Sequence, residues 1–404
     1  MTLTGQPTTT APTTGDPKQD GSVPWYLWAV AFASTSVIVG VTWDISWHRS
    51  IGRDTFWTPA HLAIYLGGIV AGLSCGWLVL RTTFAGSATE RDAGVSFWGF
   101  RGPLGAWVCI WGAIAMITSG PFDDWWHNAY GLDVEILSPP HIVLAAGIVT
   151  IQIGAMLMAL AWQNNANSNA RALPWLFVFT GGMLILNTVT VATEEIAFPN
   201  EHHRAGFFLV SAGIFPLVLV GISRSARSRW GATQAAAVYM GATMLAIWIL
   251  QLFPAEPLLA PIMRPVEQMV PPAFPLILVA PAIVIDLILH WTSQRMSQNS
   301  PPPHASVSAT YLRPAAIAAG AGVLAIAVLG MVQWPFAEFL LSEHARNFFF
   351  GADQWDYNVP PGQFQYEFWG SPATAASLGW ASAIAVVSSV VGMWWGNWMK
   401  RVRR

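Results

Sequence analysis

Asp44, His48 and His61 are spaced in a way that suits metal chelation. An Asp and a His at i and i+4 share one helical face. His61 follows a short loop ending in Thr58-Pro59, a capping residue and then a favourable first helical residue. It therefore falls in the first turn of a second helix, beside the end of the first. One carboxylate and two imidazoles gathered there suffice for a divalent metal that keeps an open coordination position. The constellation returns as Asp123, His127 and His141. Asp44, Trp47, His48, Gly52 and Asp54 map onto Asp123, Trp126, His127, Gly131 and Asp133 at a shift of 79 residues, and one extra loop residue sets His141 80 beyond His61. Asp54 and Asp133 are placed to orient a ligand imidazole from behind. A single i,i+4 Asp–His pair is as often structural as functional. Agreement at eight typed positions in two copies favours a metal or proton-handling site.

The elements that must position these groups are apolar. Of 404 residues, 54% are hydrophobic and 10% charged, against about 25% charged in an ordinary soluble domain. Mean hydropathy is +0.46. These values exclude a disordered chain and a typical soluble enzyme. With 19 basic residues against 21 acidic ones and no basic patch, a nucleic-acid partner is excluded too. Apolar stretches of spanning length fall near 25–43, 60–80, 104–122, 141–162, 173–193, 205–223, 231–253, 272–291, 313–334 and 374–398. The expected fold is all-α: a polytopic integral membrane protein of about ten transmembrane helices. Its hairpins over 25–80 and 104–162 form a direct repeat of one orientation. Residues 1–22, rich in Thr, Pro, Gly and Ser, read as a disordered cytoplasmic tail. Residues 23–398 form the membrane domain, with a long outer loop over 335–373, and 399–404 a basic cytoplasmic tail. The 23 Trp suit rings at a membrane–water boundary, and Trp43, Trp47, Trp57, Trp125 and Trp126 read as such a belt.

Charge sets the expected orientation. With ten spans and the N-terminus inside, 14 basic residues fall inside and 5 outside, which favours cytoplasmic termini in a cell (inner) membrane. Seven of the nine histidines then lie outside, and positive-inside sorting takes no account of neutral His. The chemistry is therefore expected on the outer face.

The run from Trp47-His48 through Arg53-Asp54-Thr55-Phe56-Trp57-Thr58-Pro59-Ala60-His61, with Asp44 ahead of it, resembles the metal-binding segment of the C subunit of particulate methane and ammonia monooxygenases. The resemblance covers roughly 20 residues strongly, with a weaker echo over Asp123–His141. It implies copper held by Asp44, His48 and His61, oxidation of a small apolar substrate, and partner membrane subunits or a homo-oligomer. The donor set by itself suits copper, iron or zinc. The chain departs from that family in carrying ten predicted helices and two such hairpins, and its second copy reads Leu132-Asp133-Val134 where the first has Arg53-Asp54-Thr55. A second function class therefore stays open: a metal-binding or metal-transport protein without redox catalysis.

Weaker candidates lie elsewhere. Glu194-Glu195 closes the fifth span and Glu201-His202-His203 opens the sixth, echoing the hairpin theme; a polar capping loop is the plainer reading. Asp286 and His290 form an i,i+4 pair at the cytoplasmic end of the eighth span, read as a buried pair or part of a proton path. The 335–373 loop holds Glu338, Glu343, His344, Asp353, Asp356 and Glu367 among aromatics and suits a lid over the hairpin mouths. The two cysteines, Cys75 and Cys109, sit in apolar runs and cannot build a disulfide framework or a redox CxxC pair. Phosphate-binding, serine-hydrolase, dinucleotide and HExxH signatures are absent.

Overall fold

A computed structural model describes residues 22–52, 55–131, 138–164, 172–256, 266–298, 312–354 and 371–403. The polar turns at the two Asp–His pairs continue the helices beyond their apolar stretches. Thus α1 runs over Trp25–Ser50 and α4 over Leu104–Tyr130. Each stops at a glycine with positive φ, Gly52 at 104° and Gly131 at 99°, a conformation that costs an L side chain dearly. The returning partners are α2 (Pro59–Ala85) and α5 (Pro139–Asn164). A short α3 (Ala88–Ala93) and an antiparallel ribbon, β1 (Val95–Phe97) and β2 (Phe100–Gly102), join α2 to α4. The ribbon, which the helical reading passed over, turns at Trp98 and Gly99, both at positive φ.

The remaining elements are α6 (Ala172–Val191), a one-turn α7 (Thr193–Ile196), α8 (Ala205–Ser225), α9 (Gly231–Leu250), α10 (Val279–Gln298), α11 (Arg313–Leu341) and α12 (Ala375–Met399). Among the described residues nine helices are long and apolar enough to cross a membrane, and α10 adds a shorter apolar stretch, Val279–Thr292. The chain is an integral membrane protein. Large apolar side chains left exposed on the spans, such as Leu73, Ile117 and Val387, make the lipid-facing surface. The span expected from residue 272 starts as helix only at Val279, because Pro271, Pro272 and Pro275 hold the chain extended. Its freed N–H groups are met from inside the protein: Leu276 donates to the Tyr239 hydroxyl at 3.0 Å and Ile277 to the Gln333 amide oxygen at 3.1 Å.

Helices in lipid gain nothing from burying apolar surface against one another, so close backbone approach has to hold them. The two hairpins use matching points. A Cβ on Gly67 would meet the Ala33 carbonyl and Val37, and a Cβ on Gly147 the Gly112 carbonyl and Met116, in each case under 3 Å. These residues correspond at the same shifts of 79 and 80 that relate the Asp/His/His sets. The four helices share a core of Ala33, Val37, Ile64, Ala71, Ala113, Met116, Ile148 and Ile151. The basic tail docks against α5, where the Asn164 amide donates to the carbonyl oxygen of Val402 at 2.8 Å.

Asp286, read from the sequence as a buried pair with His290 or part of a proton path, is met by the start of α9. Its carboxylate, 1% exposed, accepts the N–H groups of Ala232 and Thr233 at 3.3 and 2.8 Å and the Thr233 hydroxyl at 2.8 Å. It caps the N-terminus of α9 from a neighbouring helix, where the helix dipole favours negative charge. Asp286→Ala strands those donors and is expected to cost about 1–3 kcal/mol, read as a lower thermal midpoint in detergent. An unchanged midpoint would contradict the capping role.

Candidate functional site

Both hairpin mouths bring their three predicted groups together. In the first, His48 Nε2 lies 3.8 Å from Asp44 Oδ2 and His61 Nε2 lies 3.2 Å from Asp44 Oδ1. In the second, His127 Nε2 is 3.4 Å from Asp123 Oδ2 and His141 Nε2 is 3.7 Å from Asp123 Oδ1. The carboxylate sits between two imidazoles in each, with the same oxygen facing the corresponding histidine. These separations exceed the 2.7–2.9 Å of a charge-assisted hydrogen bond. Two of them, 3.2 and 3.4 Å, lie near the roughly 3.3 Å between two donor atoms about 2.0 Å from one tetrahedral ion, and the other two, 3.7 and 3.8 Å, exceed it. Asp44 Oδ1 and Asp123 Oδ1 are each buried, and neither accepts a hydrogen bond among the described residues. A buried carboxylate oxygen without a donor is costly, and a cation would satisfy it. As the side chains stand, no three His, Cys, Asp or Glu groups among the described residues close into a complete metal-holding set. The triads are pairwise contacts about one carboxylate.

The mouths differ in how they are held. Ser50, at the end of α1, accepts the N–H of Val270 at 2.7 Å. Trp43 and Trp47 pack, partly buried, on a cluster of Ile51, Leu250, Ala255 and Met269 and so anchor α1. Trp57 and Trp125, by contrast, are largely exposed. In the first hairpin Thr58 is the N-cap and Pro59 the first residue of α2, as expected. The Thr58 hydroxyl, however, accepts from the Thr55 N–H at 2.8 Å, bracing the loop, and does not cap the helix. Phe56 stacks on Tyr65, beside His61, and rests against Gly120 of α4. The two mouths are thereby neighbours. Asp54 and Asp133 lie outside the described residues.

The Glu195, His202 and His203 group does not make a third triad. Glu195 packs over Gly206 at the start of α8. His202 is 1% exposed, with Nε2 3.1 Å from the Ile196 carbonyl and Nδ1 3.1 Å from the Gln333 amide nitrogen. Because Gln333 Oε1 accepts from Ile277, its NH2 must donate to Nδ1, and His202 Nε2–H then donates to Ile196. Both ring nitrogens are engaged, so His202 is a structural bridge between the loop and α11. His203 stands edge-on to Trp334, 3.8 Å from Glu338. The described part of the long loop, 342–354, packs on α9: Phe348 and Phe349 carbonyls accept from Gln251 and Trp248. Residues 355–370 of that loop, with Asp356 and Glu367, lie outside the described residues.

One feature had no sequence signature. A cavity of about 60 Å³ lies between α1, α6, α9 and the 270–276 segment, lined by Thr42, Ser46, Arg49, Thr190 and Thr243 among apolar groups. On α1 these residues lie on a different helical face from Asp44 and His48, so the cavity does not open onto that triad. Only the packing of three sequence-distant helices creates it.

Comparison with models of protein families, with functionally characterised proteins and with solved structures returned no match. The likeness over Asp44–His61 thus rests on those residues alone.

Burial lowers the pKa of His202 to about 3 from the ordinary 6.5, aided by the neighbouring His203. The folded protein leaves it neutral where the unfolded chain protonates it. Its contribution is complete above pH 6.5 and declines as pH falls towards 3. The thermal midpoint should fall over that window, and His202→Gln should show a shallower fall. Equal slopes in both proteins would remove His202 as the source.

Proposed function

We propose that this chain is a membrane metalloprotein whose two hairpin mouths each hold a transition metal through one Asp and two His: Asp44, His48 and His61 in the first, Asp123, His127 and His141 in the second. The observation that carries this reading is the Asp Oδ1 that in both mouths is buried, accepts no hydrogen bond among the described residues and faces an imidazole, at 3.2 and 3.7 Å. The imidazoles are part-exposed, His48 to 50%, so the ligands are reachable from water.

The basic-residue asymmetry supports putting the mouths on the outer side of a cell (inner) membrane with both termini cytoplasmic. Copper is the metal favoured by the resemblance to the monooxygenase C subunit; iron and zinc suit the donors equally well. Bound copper would supply a redox centre with an open position for dioxygen. The chain's own residues do the positioning: α1 and α4 carry the carboxylates, Thr58-Pro59 and Ser138-Pro139 start the helices that return the second imidazole, and the exposed aromatic rim favours a small apolar substrate arriving from lipid. Partner membrane subunits or self-association would be consistent with that resemblance. A metal-transport reading needs ionisable groups continuing through the bundle, and the deep candidate, Asp286, is consumed as a helix cap.

Elemental analysis of protein purified from membranes tests this. Metal content should fall in His48→Ala and in His127→Ala and vanish in the double variant. Loss in one alone would identify the working hairpin. Wild-type content in both would end the ligand assignment.

A further inference from the structure

The chain has two cysteines, and the bundle buries both in one cluster with Met158. Cys75 of α2 points its thiol at the Met158 thioether of α5, 3.7 Å away. Cys109 of α4 neighbours Cys75 closely enough for the two thiols to interact, and its own thiol donates to the Ile151 carbonyl oxygen of α5 at 3.6 Å. Cys75 and Cys109 are fully buried and Met158 is 2% exposed. Three helices from two different hairpins thus bring three sulfur atoms to one place, with nothing in the local sequence to announce it. Two glycines make the room: a Cβ on Gly154 would lie 2.5 Å from the Cys109 sulfur, and one on Gly105 2.6 Å from Met158.

Packing alone does not call for sulfur here. At the repeat shifts, the positions of Cys109, Met158 and Cys75 correspond to Val30, Leu78 and Ala155. All three are buried and ordinary. The same slots are filled with hydrocarbon in the related positions, so gap-filling accounts for burial but not for three sulfurs meeting.

We infer that Cys75, Cys109 and Met158 form a soft-metal site for Cu(I). Thiolate and thioether donors select this ion, which accepts two or three ligands and needs no oxygen or nitrogen donor. The charge balance suits the location. Cu(I) displaces one thiol proton, which leaves to water, and the thiolate–copper unit with a neutral thiol and thioether carries no net charge; a buried ion would be costly in lipid. The site is distinct from the hairpin mouths. Cys109 lies 14 residues from Asp123 along α4, and Cys75 the same number from His61 along α2, about 21 Å by helical rise. Its shorter approach is from the ribbon end of the bundle, because Cys109 is only five residues into α4. The inference does not depend on the triads binding metal.

Full-length protein in detergent, kept anaerobic, would be titrated with Cu(I) delivered from its bicinchoninate complex, and bound copper examined by X-ray absorption. Wild type should show a copper–sulfur shell. Cys75→Ala and Cys109→Ala should lose it while keeping wild-type helix content and elution volume, and Met158→Leu should bind more weakly. The His48→Ala/His127→Ala double variant should keep it, which separates this site from the triads. A wild type with only nitrogen and oxygen neighbours, or a sulfur shell unchanged in either cysteine variant, would overturn the inference. So would a Cys75–Cys109 disulfide in freshly purified protein, detected as thiols that resist alkylation after denaturation.

Discussion

A polar or ionisable side chain on a membrane helix survives in one of two places: beyond the apolar span, or against a partner supplied by the protein. That constraint decides where each reactive group of this chain sits. Asp44 and His48, like Asp123 and His127, occupy polar turns that extend α1 and α4 past their apolar stretches. Asp286 has no such freedom and is answered by the N–H groups at the start of α9. His202, at the loop–bundle boundary, is kept neutral and bridged on both ring nitrogens. Sulfur needs no counter-charge, so Cys75, Cys109 and Met158 can meet in the interior.

The hairpins are alike where geometry demands it. A helix that must end sharply after a polar turn ends at a positive-φ glycine in both copies. Helices that must approach closely do so at Gly67 and Gly147, at corresponding heights. Close approach fixes the offset between outgoing and returning helix, and that offset sets the first imidazole of α2 or α5 against the carboxylate of α1 or α4. The hairpins diverge where neighbours differ. The first is tied into the body through Ser50 and Val270 and through Trp43 and Trp47. The second carries Trp125 and Tyr130 at 55% and 69% exposure. Equivalent donors thus stand in unequal surroundings: His48 is 50% exposed and its counterpart His127 26%.

Much was legible in the chain itself, for definite reasons. Helical spans declare themselves because lipid tolerates no unpaired backbone, so each needs a long apolar run. The triads were legible because both of their relations are local: an i,i+4 step along one helix and a tight loop to the next. Thr58-Pro59 and Ser138-Pro139 mark where the returning helices begin. The ribbon at Val95–Gly102 was missed because its strands are three residues long, too short for alternation to register. The eighth span begins as helix later than its apolar run, because apolarity reports depth and says nothing of whether Pro271, Pro272 and Pro275 permit a helix.

The chain alone determined a helical membrane protein with two Asp/His/His hairpins, since hydropathy and short-range spacing are properties of neighbouring residues. Tertiary structure alone decided the rest. It made Asp286 a cap and His202 a bridge, opened the cavity beside Thr42 and Ser46, and brought Cys75, Cys109 and Met158 together. Each of these relations joins residues on different helices. The packing of the helices determines which side chains face each other, and it depends on backbone contacts that no single stretch of sequence records.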